Sequence, residues 1–228
     1  MNVNTLKKIE SFGDVFKKEY HSNWNKDELI KDWRLSLQFL YDHSFMRGRR
    51  DTLSTKFKNI AINVLRETTF KDLNYDLESL SHQLAEKGVN NNADRIMVIE
   101  SIKFIRKIKD NNITTYFVAK LKTNEKEAYD EIRTIKYIGD KIATLYFREL
   151  CWMFEVNVKD SKLIFPIDAW VKQIINRLGL LNGEVWSKEK LKNIKDLEVK
   201  EKVIGVCLKH KVDIVNQFNL SVANWSPK

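Results

Sequence analysis

The stretch Ile135-Lys136-Tyr137-Ile138-Gly139-Asp140-Lys141-Ile142-Ala143 decides how the chain is read. Just upstream, Asn124 and Glu127 have capping-box spacing and start a short helix running from Glu125 to about Thr134. Just downstream, Ala143, Phe147, Leu150 and Phe154 share one helical face, with Ile142, Leu145 and Tyr146 beside them. The reading is two helices joined by a tight turn around one glycine. Such a unit aims the backbone N–H groups at the start of its second helix toward a phosphate, with no base contact needed. After a loop containing Lys159-Asp160-Ser161-Lys162 comes Phe165-Pro166-Ile167-Asp168-Ala169-Trp170-Val171. Asp168 stands at an N-cap position, ahead of an amphipathic helix with Val171, Ile174, Ile175 and Leu178 that closes at Gly179.

The rest of the chain follows the same period. Trp33, Leu37, Leu40 and Tyr41 lie on one face of a helix beginning near Asn25. Phe57, Ile60, Ala61, Val64 and Leu65 mark the next helix, and Leu73, Leu77, Leu80 and Leu84 another that ends at Gly88. Ile96, Ile99, Ile102, Phe104, Ile105 and Ile108 form a further one, stopped by Asp110-Asn111-Asn112. No strict alternation persists long enough for a sheet, and there is no internal repeat or low-complexity tract. The fold class expected is all-α.

The 228 residues suffice for one large domain or two small lobes sharing a core. Hydrophobic residues at 43% support a packed core, and charged residues at 31% exclude a membrane-embedded body. No apolar run approaches the roughly 20 residues that span a bilayer, and Met1 to Glu10 lacks an apolar signal core, so a cytoplasmic protein is expected. Two cysteines, Cys151 and Cys207, cannot supply a four-cysteine zinc or iron–sulfur site and read as buried core thiols. His21, His43, His82 and His210 show no metal-ligand spacing. Neither a metal nor a cofactor is expected.

A formal charge of +9 suits a polyanionic partner as well as a merely basic surface. Between Ser101 and Lys122, Lys103, Arg106, Lys107, Lys109, Lys120 and Lys122 face Asp110 alone. Arg47, Arg49 and Arg50 surround Gly48 and read either as a phosphate clamp or as an ordinary exposed loop. Asp130 and Glu131 read as a solvated helix face, Trp33 and Trp152 as packing residues, and Trp170 as structural.

The pair Ile138-Gly139-Asp140-Lys141-Ile142-Ala143 and Pro166-Ile167-Asp168-Ala169-Trp170-Val171 resembles the helix-hairpin-helix DNA glycosylase superfamily, which includes endonuclease III and the 8-oxoguanine glycosylases. Its members carry a hairpin reading Leu-Pro-Gly-Val-Gly-x-Lys-x-Ala, followed by Val-Asp at the start of the next helix. By this resemblance Lys141 falls on the nucleophilic lysine of the bifunctional members and Asp168 on their catalytic aspartate. Gly139 and Lys136 fall in the DNA-contacting hairpin. The motif pair covers about a fifth of the chain. Tyr137 replaces the family's first hairpin glycine and Lys136 its proline, which points to a wider hairpin. The spacing from Lys141 to Asp168 exceeds that of endonuclease III. The absent cluster cysteines point toward the cluster-free 8-oxoguanine type.

The resemblance implies two helical lobes with a DNA-binding cleft between them. One spans residues 50–158 and holds the hairpin; the other joins 1–49 to 166–228. It further implies a monomeric base-excision-repair enzyme acting on double-stranded DNA with a damaged base, nucleoid-associated when bound. Gln217 and Phe218, within Val215-Asn216-Gln217-Phe218-Asn219, offer either cap and turn groups or a base-edge reader with a stacking ring. Taken alone, Lys141 also reads as a phosphate contact and Asp168 as a simple cap. The alternatives are a glycosylase for another damaged base, a non-catalytic helix-hairpin-helix DNA-binding protein, and a helical protein–protein module.

Overall fold

Among the described residues, seven helices begin on a short polar side chain that accepts hydrogen bonds from backbone N–H groups of the first turn. Asn25, Asp32, Asp76, Asn91, Asn112, Asn124 and Ser187 are these caps. The computed structural model describes residues 4–11, 24–46, 51–67, 76–167, 169–181 and 185–212, without the side chain of Trp170. Among the described residues the chain is all-helical, with no strand.

The helices are α1 (residues 4–11), α2 (Lys26–Lys31), α3 (Trp33–Ser44), α4 (Asp51–Glu67), α5 (Leu77–Glu86) and α6 (Asn92–Ile105). They continue as α7 (Ile113–Thr123), α8 (Glu125–Ile132), α9 (Asp140–Phe154), α10 (Ala169–Arg177), α11 (Lys188–Asn193) and α12 (Asp196–His210). Short 3-10 turns occupy Lys109–Asn111 and Ser161–Ile164. No described helix is long and apolar enough to cross a membrane.

The single helix expected from Asn25 is broken in two. Asp32 is extended (φ −114°, ψ 110°), and its carboxylate accepts from the Arg34 N–H at 2.7 Å, ending α2 and starting α3. The helix expected to reach Ile108 stops at Ile105, and Ile108 stays buried from the following turn. That turn contains Asp110 and Asn111 at φ 64° and 51°, a conformation Asp and Asn tolerate. Gly88 and Gly179 do end their helices. They have positive φ of 106° and 67°, and each is followed by a residue whose N–H returns to the last turn: Val89 to Leu84 at 2.8 Å, Leu180 to Ile175 at 3.0 Å.

At the centre α3, α7 and α9 pack on one another. Phe39, Phe117, Tyr146 and Phe147 meet there with ring centroids 5.4 to 6.3 Å apart. Each ring, fully removed from water, stabilises the fold by about 1.5–3 kcal/mol. Two polar residues inside this core satisfy each other: Ser36 Oγ donates to Thr114 Oγ1 at 2.9 Å and accepts from the Thr114 N–H at 2.8 Å. Tyr41 and Ser101 share a hydroxyl–hydroxyl bond of 2.7 Å, and burial holds the Tyr41 phenol well above its usual range.

Asn112 joins distant parts of the chain. Its side-chain amide donates to the Leu29 carbonyl at the end of α2 (2.8 Å), and its oxygen caps α7 through the Thr115 N–H (3.0 Å). Both cysteines are buried thiols. Burial, with Glu125 nearby, pushes the Cys151 thiol up to about 12, so it is unreactive at neutral pH. Trp152 is not the packing residue expected, because its position on α9 turns it outward and leaves it 42% exposed.

Candidate nucleic-acid interface at the start of α9

Helix α8 buries Ala128 and Ile132 and packs against α7 and α9, and its link to α9 is a tight turn. The Ile138 N–H donates to the Ile135 carbonyl at 3.0 Å, and both isoleucine side chains are buried. Tyr137 takes the third position of this four-residue turn with φ 68°, as a type II turn requires. The turn is therefore closed rather than widened by the tyrosine, which accepts a left-handed backbone usually given to glycine while its ring stays 48% exposed. Lys136 is exposed beside it.

Gly139 is the N-cap of α9, extended at φ −89° and ψ −176°, with no side chain to satisfy the first N–H groups. A Cβ built there meets nothing within 4 Å. The protein's own packing does not demand glycine there, and no side-chain cap occupies the first N–H groups of α9, the kind of helix start that can receive a phosphate. Lys141 is partly buried in the first turn of α9, directly after this gap.

Asp140 fixes the turn's exit. Its Oδ1 accepts from Tyr129 Oη on α8 and, at 2.9 Å, from Lys200 Nζ on α12. Lys200 also donates to the Lys162 carbonyl at 3.0 Å, and its side chain is only 3% exposed. Burial lowers the Lys200 pKa against the opposing pull of Asp140, while burial and then Asp140 push the Tyr129 phenol up. The mate of Oδ1, Asp140 Oδ2, is buried without a partner among the described residues. The sequence hardly announces this three-helix tie. Its one signal is Lys200 lying in the apolar stripe Val199, Val203 and Cys207.

A second tie secures the other end of α8. The Glu125 carboxylate accepts from the backbone N–H groups of Lys159 (2.7 Å) and Asp160 (3.0 Å), fixing the loop after α9. Glu131 does not belong to a solvated face. It accepts from Tyr116 Oη at 2.6 Å and pairs with Lys120, which also reaches Glu127 at 3.0 Å. Burial would lower the Lys120 pKa, but bonds to Glu131, Tyr116 and Glu127 outweigh it and raise it. The basic run from Ser101 to Lys122 thus loses Lys120 to these carboxylates and Lys103 to Glu100 at 2.8 Å. Asp130 is exposed and paired with Lys126.

Asp168, Arg47, Arg49, Arg50, Gln217 and Phe218 lie outside the described residues. Pro166 and Ile167, which lead to Asp168, are buried. Of the expected site, Lys136, Gly139 and Lys141 are brought to one short segment. Among known proteins, no family model, curated sequence or solved structure matches this chain.

Proposed function

We propose that the protein is a DNA glycosylase with AP-lyase activity in base excision repair, working as a monomer on duplex DNA that contains an oxidised purine, with 8-oxoguanine the first candidate. The observation that carries this reading is the uncapped glycine start of α9 at Gly139 with Lys141 two residues on, in the first helical turn. A phosphate seated on the α9 N-terminus brings the sugar–phosphate chain to the lysine. The damaged base, extruded from the stack, leaves its anomeric carbon open to attack.

Lys141 Nζ, once deprotonated, forms a bond to C1′ as the N-glycosidic bond breaks and the base departs with the electron pair. Loss of the second amine proton and ring opening give an imine. Removal of a C2′ proton then expels the 3′ phosphate by β-elimination, and water hydrolyses the imine to free the lysine. Asp168 takes the role of a carboxylate that stabilises positive charge on the sugar and accepts the lysine proton. The same uncapped Gly139 also favours a second reading, a phosphate-docking module without chemistry, in which Lys141 is only a cation.

Borohydride trapping separates the two. Duplexes carrying 8-oxoguanine, an abasic site or no lesion are incubated with the full chain, and the covalent protein–DNA band is measured. A lesion-dependent adduct lost in Lys141→Gln, with duplex binding retained, is the expected result. An adduct at the abasic site alone keeps the lyase and removes 8-oxoguanine as substrate. No adduct with any duplex, despite salt-sensitive binding, leaves the docking module.

A further inference from the structure

A cavity of about 460 Å³ opens between α10 and α11, a size suited to a nucleotide. Its charged walls are Lys172 and Arg177 from α10 with Lys188 and Lys192 from α11. Every charged side chain lining it among the described residues is a cation. Beside them, Val185, Trp186 and Leu191 supply an apolar wall.

The wall is built before any ligand arrives. Asn176, buried on α10, donates to the Trp186 carbonyl at 2.9 Å and accepts from the Trp186 N–H at 2.7 Å. This pair of bonds pins the segment leading into α11, and Lys190 lies 4.1 Å from the centre of the Trp186 ring. The Trp186 indole N–H is buried and has no acceptor among the described residues. Lys172 is already neutralised, since its ammonium pairs with Asp196 at 2.6 Å and donates to the Ile194 carbonyl at 2.9 Å. Arg177, Lys188 and Lys192 are exposed and make no ion pair among the described residues. Three uncommitted cations thus converge on a pocket with a fixed apolar side.

We propose that this cleft binds a nucleotide unit, its phosphate on Arg177, Lys188 and Lys192 and its sugar and base against Val185 and Trp186. The chemistry is shared by a free nucleotide and by one unit of a nucleic-acid strand. None of the residues lining the site belongs to the α9 N-terminus, and the proposal does not depend on the chemistry proposed for Lys141. An aromatic and apolar wall beside cations favours a nucleotide over an acidic peptide, which needs the charge alone.

The test uses the full chain and a fluorescent oligothymidylate of roughly eight nucleotides, within the usual span of such sites. Anisotropy is recorded across a salt series, with dAMP, inorganic phosphate and polyglutamate as competitors. In R177A/K188A/K192A, binding at low salt should weaken at least about tenfold, and the log–log salt slope should fall by about two, since each phosphate contact on a single strand contributes about 0.7. The control K56A/K107A/K109A removes the same charge from exposed positions elsewhere and should leave the slope unchanged. V185D, at a 72% exposed position, places a carboxylate at the cleft and should also abolish binding, which covers a failure of the triple variant to fold.

Competition by dAMP assigns a free nucleotide, and its failure assigns a strand; either outcome supports the cleft. Equal weakening by the two triple variants, unchanged binding in V185D, or polyglutamate competing as well as dAMP and the oligonucleotide would overturn it. Lys141→Gln should bind the oligonucleotide normally. Absence of any borohydride adduct from the parent protein, with its oligonucleotide binding intact, removes the lyase and keeps the cleft, and the reverse pattern removes the cleft alone.

Discussion

Lys200 and Asp140, sixty positions apart, are joined by a 2.9 Å hydrogen-bonded ion pair that ties α12 to the first residue of α9. Removing one partner leaves the other's charge out of water without compensation. Lys200→Met should therefore cost about 2–3 kcal/mol, below the roughly 3–5 of a fully buried pair because Asp140 keeps part of its side chain exposed. In K200M/D140N the loss should be smaller than the sum of the two single losses. Urea unfolding of the four proteins gives the coupling directly, and strict additivity would show that the pair does not act as one unit.

Tyr137 carries a backbone cost that glycine would not. A side chain at φ 68° is disfavoured by about 1–2 kcal/mol, and more for a β-branched residue. Tyr137→Gly should match or exceed the stability of the parent, and Tyr137→Val should fall below the glycine variant by at least about 2 kcal/mol. If valine and glycine have equal midpoints, the turn is not held in this conformation.

His43 makes stability depend on acid. Burial lowers its pKa from 6.5 to about 4, against the pull of Glu149 and Asp42 and with the help of Arg148 and Lys58. Between these values the unfolded chain binds the proton that the folded chain refuses. Stability attributable to this residue is complete above pH 6.5 and falls as pH drops toward 4, by up to about 3 kcal/mol. His43→Phe keeps a ring against Phe39 and Tyr146 and should flatten that part of the profile. Denaturant midpoints at pH 7 and 4.5 check it, and an unchanged slope in the variant would rule His43 out as the source.

Glu125 holds the loop after α9 through two backbone N–H groups. Glu125→Ala should cost about 1–2 kcal/mol and speed hydrogen exchange at the Lys159 and Asp160 amides. Exchange at the Asn124-capped first turn of α8 should change little, because that cap does not involve the carboxylate's two loop bonds. Uniform acceleration across α8 and α9 would contradict a local tie.

What the sequence could show follows from which interactions are local. Asn124 and Glu127 are three apart, so the start of α8 is written in adjacent letters, and Gly88 and Gly179 mark helix ends for the same reason. Helix α7 is harder to read because Lys120 and Lys122 crowd its short buried stripe of Ile113, Phe117 and Leu121. The break at Asp32 is silent in the sequence because the apolar period runs on through it. Glu131 and Lys200 mislead or stay silent for a different reason: their partners, Tyr116 and Asp140, come from other helices, and no spacing rule reaches that far. At the α9 N-terminus the glycine and lysine are legible as a pair, whereas the open space at the Gly139 Cα depends on what does not pack there.

Asn112 sets an order of assembly. The six residues of α2 are too few to persist alone in water, and the carbonyls that finish this helix receive their donor from a side chain 83 positions later. The N-terminal hairpin of α2 and α3 cannot be sealed until α7 has formed beneath it, so these early residues are late to settle. In a refolding experiment, amide protection in α2 should trail that in α7 and α9, and Asn112→Ala should shorten the lifetime of α2 without slowing the formation of the central helices.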